Sequence, residues 1–233
     1  MEKLKKFKQV INDDFETRRK LSRNFFFAGT IIVILLNVLL YVFNFNTSYN
    51  PSISNGNTTG GWNATLSFAP IFQAFLNSFS HVSASHIIVN MLGVLIAGLY
   101  LERKMGSIRF IFLTAIMAFV TSIAINANFL ATNWRGFSGV NFGLFFYIFV
   151  DYIFMLFNKQ KRNRFNIISG LVDLVLIYAL MCIDGTSDTF VMRFYPINLI
   201  NNMGHYSGAL AGLVLGFTVQ VSKINVVRLQ NPN

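Results

Sequence analysis

The chain has 233 residues, of which 54% are hydrophobic and only 12% charged, and a formal net charge of +10. That charged fraction is about half the usual share in a soluble domain, so an ordinary water-soluble globular fold is excluded. With one cysteine, Cys182, an intramolecular disulfide and a cysteine metal site are excluded too.

Six apolar runs approach or exceed the roughly 17–25 residues that cross a bilayer as a helix. They lie at 26–44, 84–101, 110–129, 138–157, 166–183 and 205–221. This pattern predicts an all-α membrane protein, a bundle of six transmembrane helices in one domain. Residues 1–25 form a basic tail, 26–222 the six-span membrane domain with a long outer loop at 45–83, and 223–233 a second tail.

The positive charge belongs to membrane topology and not to nucleic-acid binding. Of 19 Lys and Arg residues, 17 fall on one side of an alternating six-span chain. Eight precede the first span, from Lys3 to Arg23. Arg103, Lys104 and Arg109 follow the second, Lys159 to Arg164 the fourth, and Lys223 and Arg228 the sixth. Only Arg135 and Arg193 lie opposite. Basic loops stay in the cytoplasm, so both termini are read as cytoplasmic. The first span is too long for the apolar part of a signal peptide, and no A-x-A-like site follows it. The tail before it is either a passive cytoplasmic arm or a segment that lies on anionic lipid.

The outer loop carries no Lys or Arg. Its first half, NTSYNPSISNGNTTGGWN, is flexible in composition, and Trp62 suits a headgroup anchor. Asn46, Asn57 and Asn63 begin N-x-[ST] triplets, which matter only in a glycosylating organism. Leu66 to Leu76 is apolar but too short to span, which suits an interfacial or re-entrant segment. After the fifth span, the polar loop 184–204 contains Pro196, a helix breaker. Cys182 reads as packing.

The polar residues near the outer ends of the spans are few. The histidines are His81, His86 and His205. Ser138 and His205 open the fourth and sixth spans from the same side and at matching depth. Each begins a small-residue ladder, Gly139 and Gly143 on one helix, Gly208 and Gly212 on the other, with the four-residue spacing that lets backbones nearly touch. The glycines pack helices on any reading. A serine and a histidine brought together by that packing add the geometry of an activated nucleophile. Asp151 lies 13 residues past Ser138, roughly 20 Å deeper, and Asp173 starts near the inner face, so neither can orient His205. A Ser-His dyad therefore fits better than a triad. One turn apart on the second span, His86 and Asn90 are either oxyanion donors or a satisfied interhelical polar pair.

These residues resemble the rhomboid intramembrane serine proteases. The shared pieces are His81-x4-His86-x3-Asn90-Met91, Glu102-x3-Gly106-Ser107-x-Arg109-Phe110, Gly136-x-Ser138-Gly139 and His205-x2-Gly208-x3-Gly212, in order across 81–212. The resemblance implies a six-helix core in which Ser138 is the nucleophile and His205 the general base. It makes His86, Asn90 and the Ser138 N–H the oxyanion hole, His81 a brace for the first outer loop, and Glu102 with Arg109 a polar network at the inner end. Many relatives place tyrosine four residues past the serine; Phe142 stands here, able to stack on the imidazole without a hydroxyl. Ser207 stands where glycine or alanine is common, and its hydroxyl can return to the helix backbone.

The expected function is cleavage of single-span membrane proteins near the outer face of the bilayer, with lipid as the other partner and with no cofactor, metal or nucleic acid. The site would face the extracytoplasmic side of a bacterial plasma membrane. The alternatives are a non-catalytic chaperone or binding protein on the same scaffold, and a transporter built on Asp151 and Asp173. A lipase-like hydrolase is excluded because G-x-S-G here opens a membrane helix, and no H-E-x-x-H metalloprotease motif occurs.

Overall fold

A computed structural model describes residues 27–43, 72, 75–76, 78–81, 83–126, 136–158, 162–184, 191–192 and 203–230. Six helices account for nearly all of them: α1 (Ala28–Val42), α2 (Ala84–Met105), α3 (Ser107–Asn126), α4 (Ser138–Phe157), α5 (Arg164–Met181) and α6 (Met203–Gln230). After α5 comes a two-residue antiparallel ladder, β1 (Ile183–Asp184) with β2 (Val191–Met192), running from the last residue of the predicted fifth span into the segment read as a polar loop. The N-terminal tail, Trp62, the three N-x-[ST] asparagines, Arg135, Arg193 and Pro196 lie outside the described residues.

Apolar residues surround these helices on all sides, the pattern of a span and not of a surface helix. Ile31 and Leu35 on α1, Ile88 on α2, Phe112 on α3, Val175 on α5 and Val214 on α6 all point outward and are exposed. An apolar surface this extensive is unstable in water and fits lipid tails. Helices α2 to α5 are long and apolar enough to cross a membrane. The other two predicted spans are helical but fall short for different reasons. With 15 residues, α1 is about 22 Å long, less than the roughly 30 Å hydrocarbon core. Helix α6 is long, but His205, Ser207, Gln220 and its glycines dilute its hydropathy.

The most extensive helix contact joins α4 to α6. Glycines make it possible. A Cβ on Gly139 would lie 2.9 Å from the carbonyl oxygen of Gly204, and one on Gly143 would lie 3.0 Å from that of Gly208. On the other helix, a Cβ on Gly208 or Gly212 would strike the carbonyl oxygens of Gly139 and Gly143. Backbone meets backbone along two turns, the packing that small-xxx-small spacing permits in membranes.

Polar ties hold the opposite end of the bundle. Helix α1 starts at Phe27 in a left-handed conformation with no side-chain cap of its own. Its free N–H groups are capped from another helix instead. Glu102, 4% exposed in the last turn of α2, accepts from Gly29 N–H at 2.8 Å and Thr30 N–H at 2.9 Å. It also accepts the hydroxyls of Thr30 and Ser107, each at 2.5 Å. A carboxylate at a helix N-terminus suits both the unpaired donors and the dipole. A second tie centres on Asp151 of α4. It accepts from Tyr100 at 2.8 Å and Lys104 at 2.5 Å on α2, and from Gln220 on α6 at 2.6 Å.

Helix α5 is held differently. Its buried residues, Gly170, Leu174, Ile177 and Met181, form one narrow stripe facing α2 and α4. Most of its large apolar residues outside that stripe, Phe165, Ile168, Leu171, Val172, Val175 and Leu176, are exposed, while Ile167 O takes a hydrogen bond from Tyr152 of α4 at 3.3 Å.

Removing the Glu102 acceptor strands several buried donors, each worth about 1–3 kcal/mol. Glu102→Ala should therefore lower unfolding stability in detergent micelles by about 3–5 kcal/mol, with Glu102→Gln intermediate. Unfolding of the alanine variant at the wild-type midpoint would remove the cap from the account of α1.

Candidate active site

Ser138 is the first residue of α4, and His205 lies in the first turn of α6. The close α4–α6 contact sets Ser138 Oγ 2.6 Å from His205 Nε2. The imidazole is 2% exposed. Phe142, one turn past the serine, stacks on it with centroids 4.6 Å apart and planes 25° from parallel. Ser207 donates its hydroxyl back to Gly204 O at 3.0 Å, so the extra polar group leaves the helix contact undisturbed.

The start of α4 has a donor surplus. Its first internal hydrogen bond runs from Asn141 N–H to Phe137 O at 3.0 Å. The N–H groups of Ser138, Gly139 and Val140 therefore have no acceptor within the helix. The positive end of the helix dipole falls at the serine.

Helix α2 presents its own donors to the same place. Ser83 caps it by accepting the His86 N–H at 3.1 Å, and His86 and Asn90 follow one turn apart, both buried. His86 lies against Gly136, where a Cβ would sit 2.5 Å from Cε1 and 2.8 Å from Nε2. Gly136 also has φ +118°, a conformation that side chains disfavour. Glycine alone satisfies both demands. Asn90 Nδ2 donates to His86 O at 3.1 Å, while Asn90 Oδ1 accepts from Asn141 Nδ2 at 3.0 Å. Ser138, His86, Asn90 and Asn141 line one cleft, and Ile177, Leu180 and Met181 of α5 form its far wall.

The end of the outer loop packs on this framework. Phe79 bridges Phe75 and Phe137, the residue before the serine, at 5.2 and 5.3 Å between centroids. The hydroxyls of Ser78 and Ser122 are 3.2 Å apart, tying the loop to α3. His81 is buried, edge-on to His86 at 5.1 Å.

Comparison with known proteins meets this geometry. A Rhomboid domain model matches residues 68–222, about two thirds of the chain. The chain belongs to the rhomboid family. Rhomboid protease GlpG of Haemophilus influenzae is 23% identical over 147 residues, covering 63% of this rhomboid and 69% of the relative. The proteins of the same name from Salmonella newport and Salmonella typhimurium are each 25% identical over 193 residues. Those alignments cover 81% of this rhomboid but 62% of the relatives, so it spans about three fifths of their length.

Within this rhomboid, the structure brings Ser138, His205, His86, Asn90, Phe142, Gly136 and the four ladder glycines into one region, with His81 behind His86. It corrects one expectation. Arg109 is exposed and takes no part in the hydrogen bonds of Glu102. Helix α3 begins at Ser107, and two residues at 100° each turn Arg109 to the far side, so Ser107 reaches the carboxylate instead. Asp151 is saturated by donors from α2 and α6. The residue that sequence reasoning missed is Asn141, which looks like one more polar position in an apolar run. Its spacing of three from Ser138 was the available signal.

Two outcomes follow from the geometry of this rhomboid. Gly208→Ala should drive α4 and α6 apart, cost about 1–3 kcal/mol, and cut fluorophosphonate labelling of Ser138 by tenfold or more. Undiminished labelling would show that the glycine contact does not hold the two groups together. For His81, burial first, and next the repulsion from His86, push the pKa down from 6.5 to about 3. The unfolded chain thus binds the proton more readily than the folded one. Stability present above pH 6.5 should be lost progressively as pH falls toward 3. His81→Gln should flatten that slope in detergent unfolding; parallel profiles for the two proteins would refute it.

Proposed function

We propose that this chain is an intramembrane serine endopeptidase that cuts single-span membrane proteins near the outer face of the bilayer. The observation that carries the reading is the 2.6 Å contact between Ser138 Oγ and His205 Nε2, with the imidazole clamped by Phe142. In this reading the chain spans the membrane six times over residues 26–222. The tails 1–25 and 223–233 lie in the cytoplasm of a bacterium, and the site opens to the extracytoplasmic side.

His205 accepts the Ser138 proton as Oγ attacks the scissile carbonyl. The tetrahedral oxyanion forms beside the Ser138 N–H, free because it begins a helix, with His86 and Asn90 as side-chain donors. His205 returns the proton to the leaving amine, giving an acyl-enzyme on Ser138. Water then attacks the ester with His205 again as base. No carboxylate is required to orient the ring, since stacking on Phe142 and burial fix its plane. The substrate helix must open locally, because its carbonyls are otherwise held in i→i−4 hydrogen bonds.

The test is reconstitution in liposomes with a panel of single-span substrates. Ser138→Ala should abolish cleavage while leaving the unfolding midpoint in place. Wild-type rates from this variant would refute the nucleophile, and a folded wild-type protein that neither cleaves nor labels with fluorophosphonate would favour a non-catalytic binding role. His86→Ala should lower kcat by about 10²–10³ with little change in KM. Equal losses in both would make His86 structural.

A further inference from the structure

Asn141 is a buried polar residue one turn into α4 that the chemistry above leaves unused. It is 7% exposed, and its Nδ2 donates to Asn90 O and Asn90 Oδ1, both at 3.0 Å. An amide nitrogen carries two hydrogens, enough for both acceptors. One acceptor belongs to the main chain of Asn90 and the other to its side chain. A single group on α4 therefore fixes the Asn90 carboxamide relative to its own helix.

This contact decides which end of Asn90 is left available. A main-chain carbonyl takes only donors, so the Asn141 atom must be nitrogen and the Asn90 side-chain atom it meets must be oxygen. Asn90 Nδ2 is thereby turned the other way, where it gives one hydrogen to His86 O at 3.1 Å. Its second hydrogen takes no acceptor among the described residues, and Asn90 lines the same cleft as Ser138. Turned over, the same amide would set an oxygen in that place, and an oxygen repels an oxyanion. The bond to His86 O is a weak hold by itself, because that carbonyl already accepts the Asn90 main-chain N–H within α2. Gly93, three residues on along the same face of α2, makes the room. A Cβ there would lie 3.0 Å from both Cγ and Nδ2 of Asn141, so any larger residue would push the amide off Asn90.

We infer that Asn141 is a positioning residue for the proposed reaction, holding the Asn90 carboxamide with its nitrogen toward the oxyanion. It acts through Asn90 and not on the reacting atoms. This rests on the proteolytic reading and adds to it the residue that sets one of its donors.

The test is a double-variant cycle on a single-span substrate in proteoliposomes, with kcat and KM measured separately. Asn141→Leu keeps the shape and removes the donor. It should lower kcat by about tenfold or more with little change in KM, because the misplaced Asn90 donor is missed only in the transition state. Asn90→Ala should lower kcat by about 10²–10³. The protein carrying both substitutions should then match Asn90→Ala alone to within about twofold, since Asn141 has nothing left to position. A contribution to packing alone would let the two losses multiply. Should Asn141→Leu fail to fold, Gly93→Ala, which presses a methyl on the amide, should show the same fall in kcat and the same coupling to Asn90→Ala. Unchanged kcat in whichever variant folds overturns the assignment, and so do losses that multiply. Either result leaves the protease standing, whereas a substrate panel with no Ser138-dependent cleavage by the wild type overturns the proteolytic reading and the positioning role with it.

Discussion

Backbone contact between α4 and α6 is the constraint on which the rest depends. Between spans in lipid there is no hydrophobic drive, so association must come from close van der Waals packing and polar contacts. Gly139 and Gly143 facing Gly204, Gly208 and Gly212 let the two backbones come into direct contact. A Cβ at Gly208 or Gly212 would strike an opposing carbonyl oxygen, and clearing that clash would move the helices by about an ångström, slack that a hydrogen bond of 2.6 Å between Ser138 and His205 does not have. The serine contact is thus a consequence of packing several residues away from it.

Stiffness is unevenly distributed. At the end away from the serine, Glu102 ties α1 to α2 and α3, while Asp151 ties α4 to α2 and α6. These carboxylates sit where the surroundings are apolar, so each is held by several donors at once. Helix α5 has no share in those carboxylate ties; it meets the bundle through a buried stripe of four residues and a 3.3 Å hydrogen bond from the Tyr152 hydroxyl to Ile167 O. Its wall of the cleft, Ile177, Leu180 and Met181, is apolar. A segment with few buried contacts opens at lower free energy than its neighbours.

How much of this was legible in the sequence follows from what each feature depends on. Span positions depend on composition over about twenty residues, and all six predicted runs contain a helix. Matching depth of Ser138 and His205 needed only counting from the same side, and the glycine spacing supplied the contact. Rotation about a helix axis was harder. Arg109 and Ser107 are two residues apart and share a motif, yet only one can face Glu102, and which one depends on where α3 begins after the Gly106 turn. The pairing of Asn141 was hidden for a related reason, since its partner Asn90 lies 51 residues away on another helix. The β1–β2 pairing rests on two residues per strand, too few to leave a periodic signal.

The donors around Ser138 come from elements fixed independently of one another. The serine N–H is free because a helix starts there, a matter of α4 alone. His86 is placed by the Ser83 cap and by the positive φ of Gly136, which lets the chain before α4 pass against the ring. Asn90 is turned by two bonds, its Nδ2 on His86 O and its Oδ1 on Asn141, so one amide is oriented from both helices. Such groups are set before any substrate arrives, and donors that need not reorient stabilise a developing charge most effectively. The polar residues of this site are therefore spent mainly on holding one another in place, and the unpaired Oδ1 of Asn141 is the price of that arrangement.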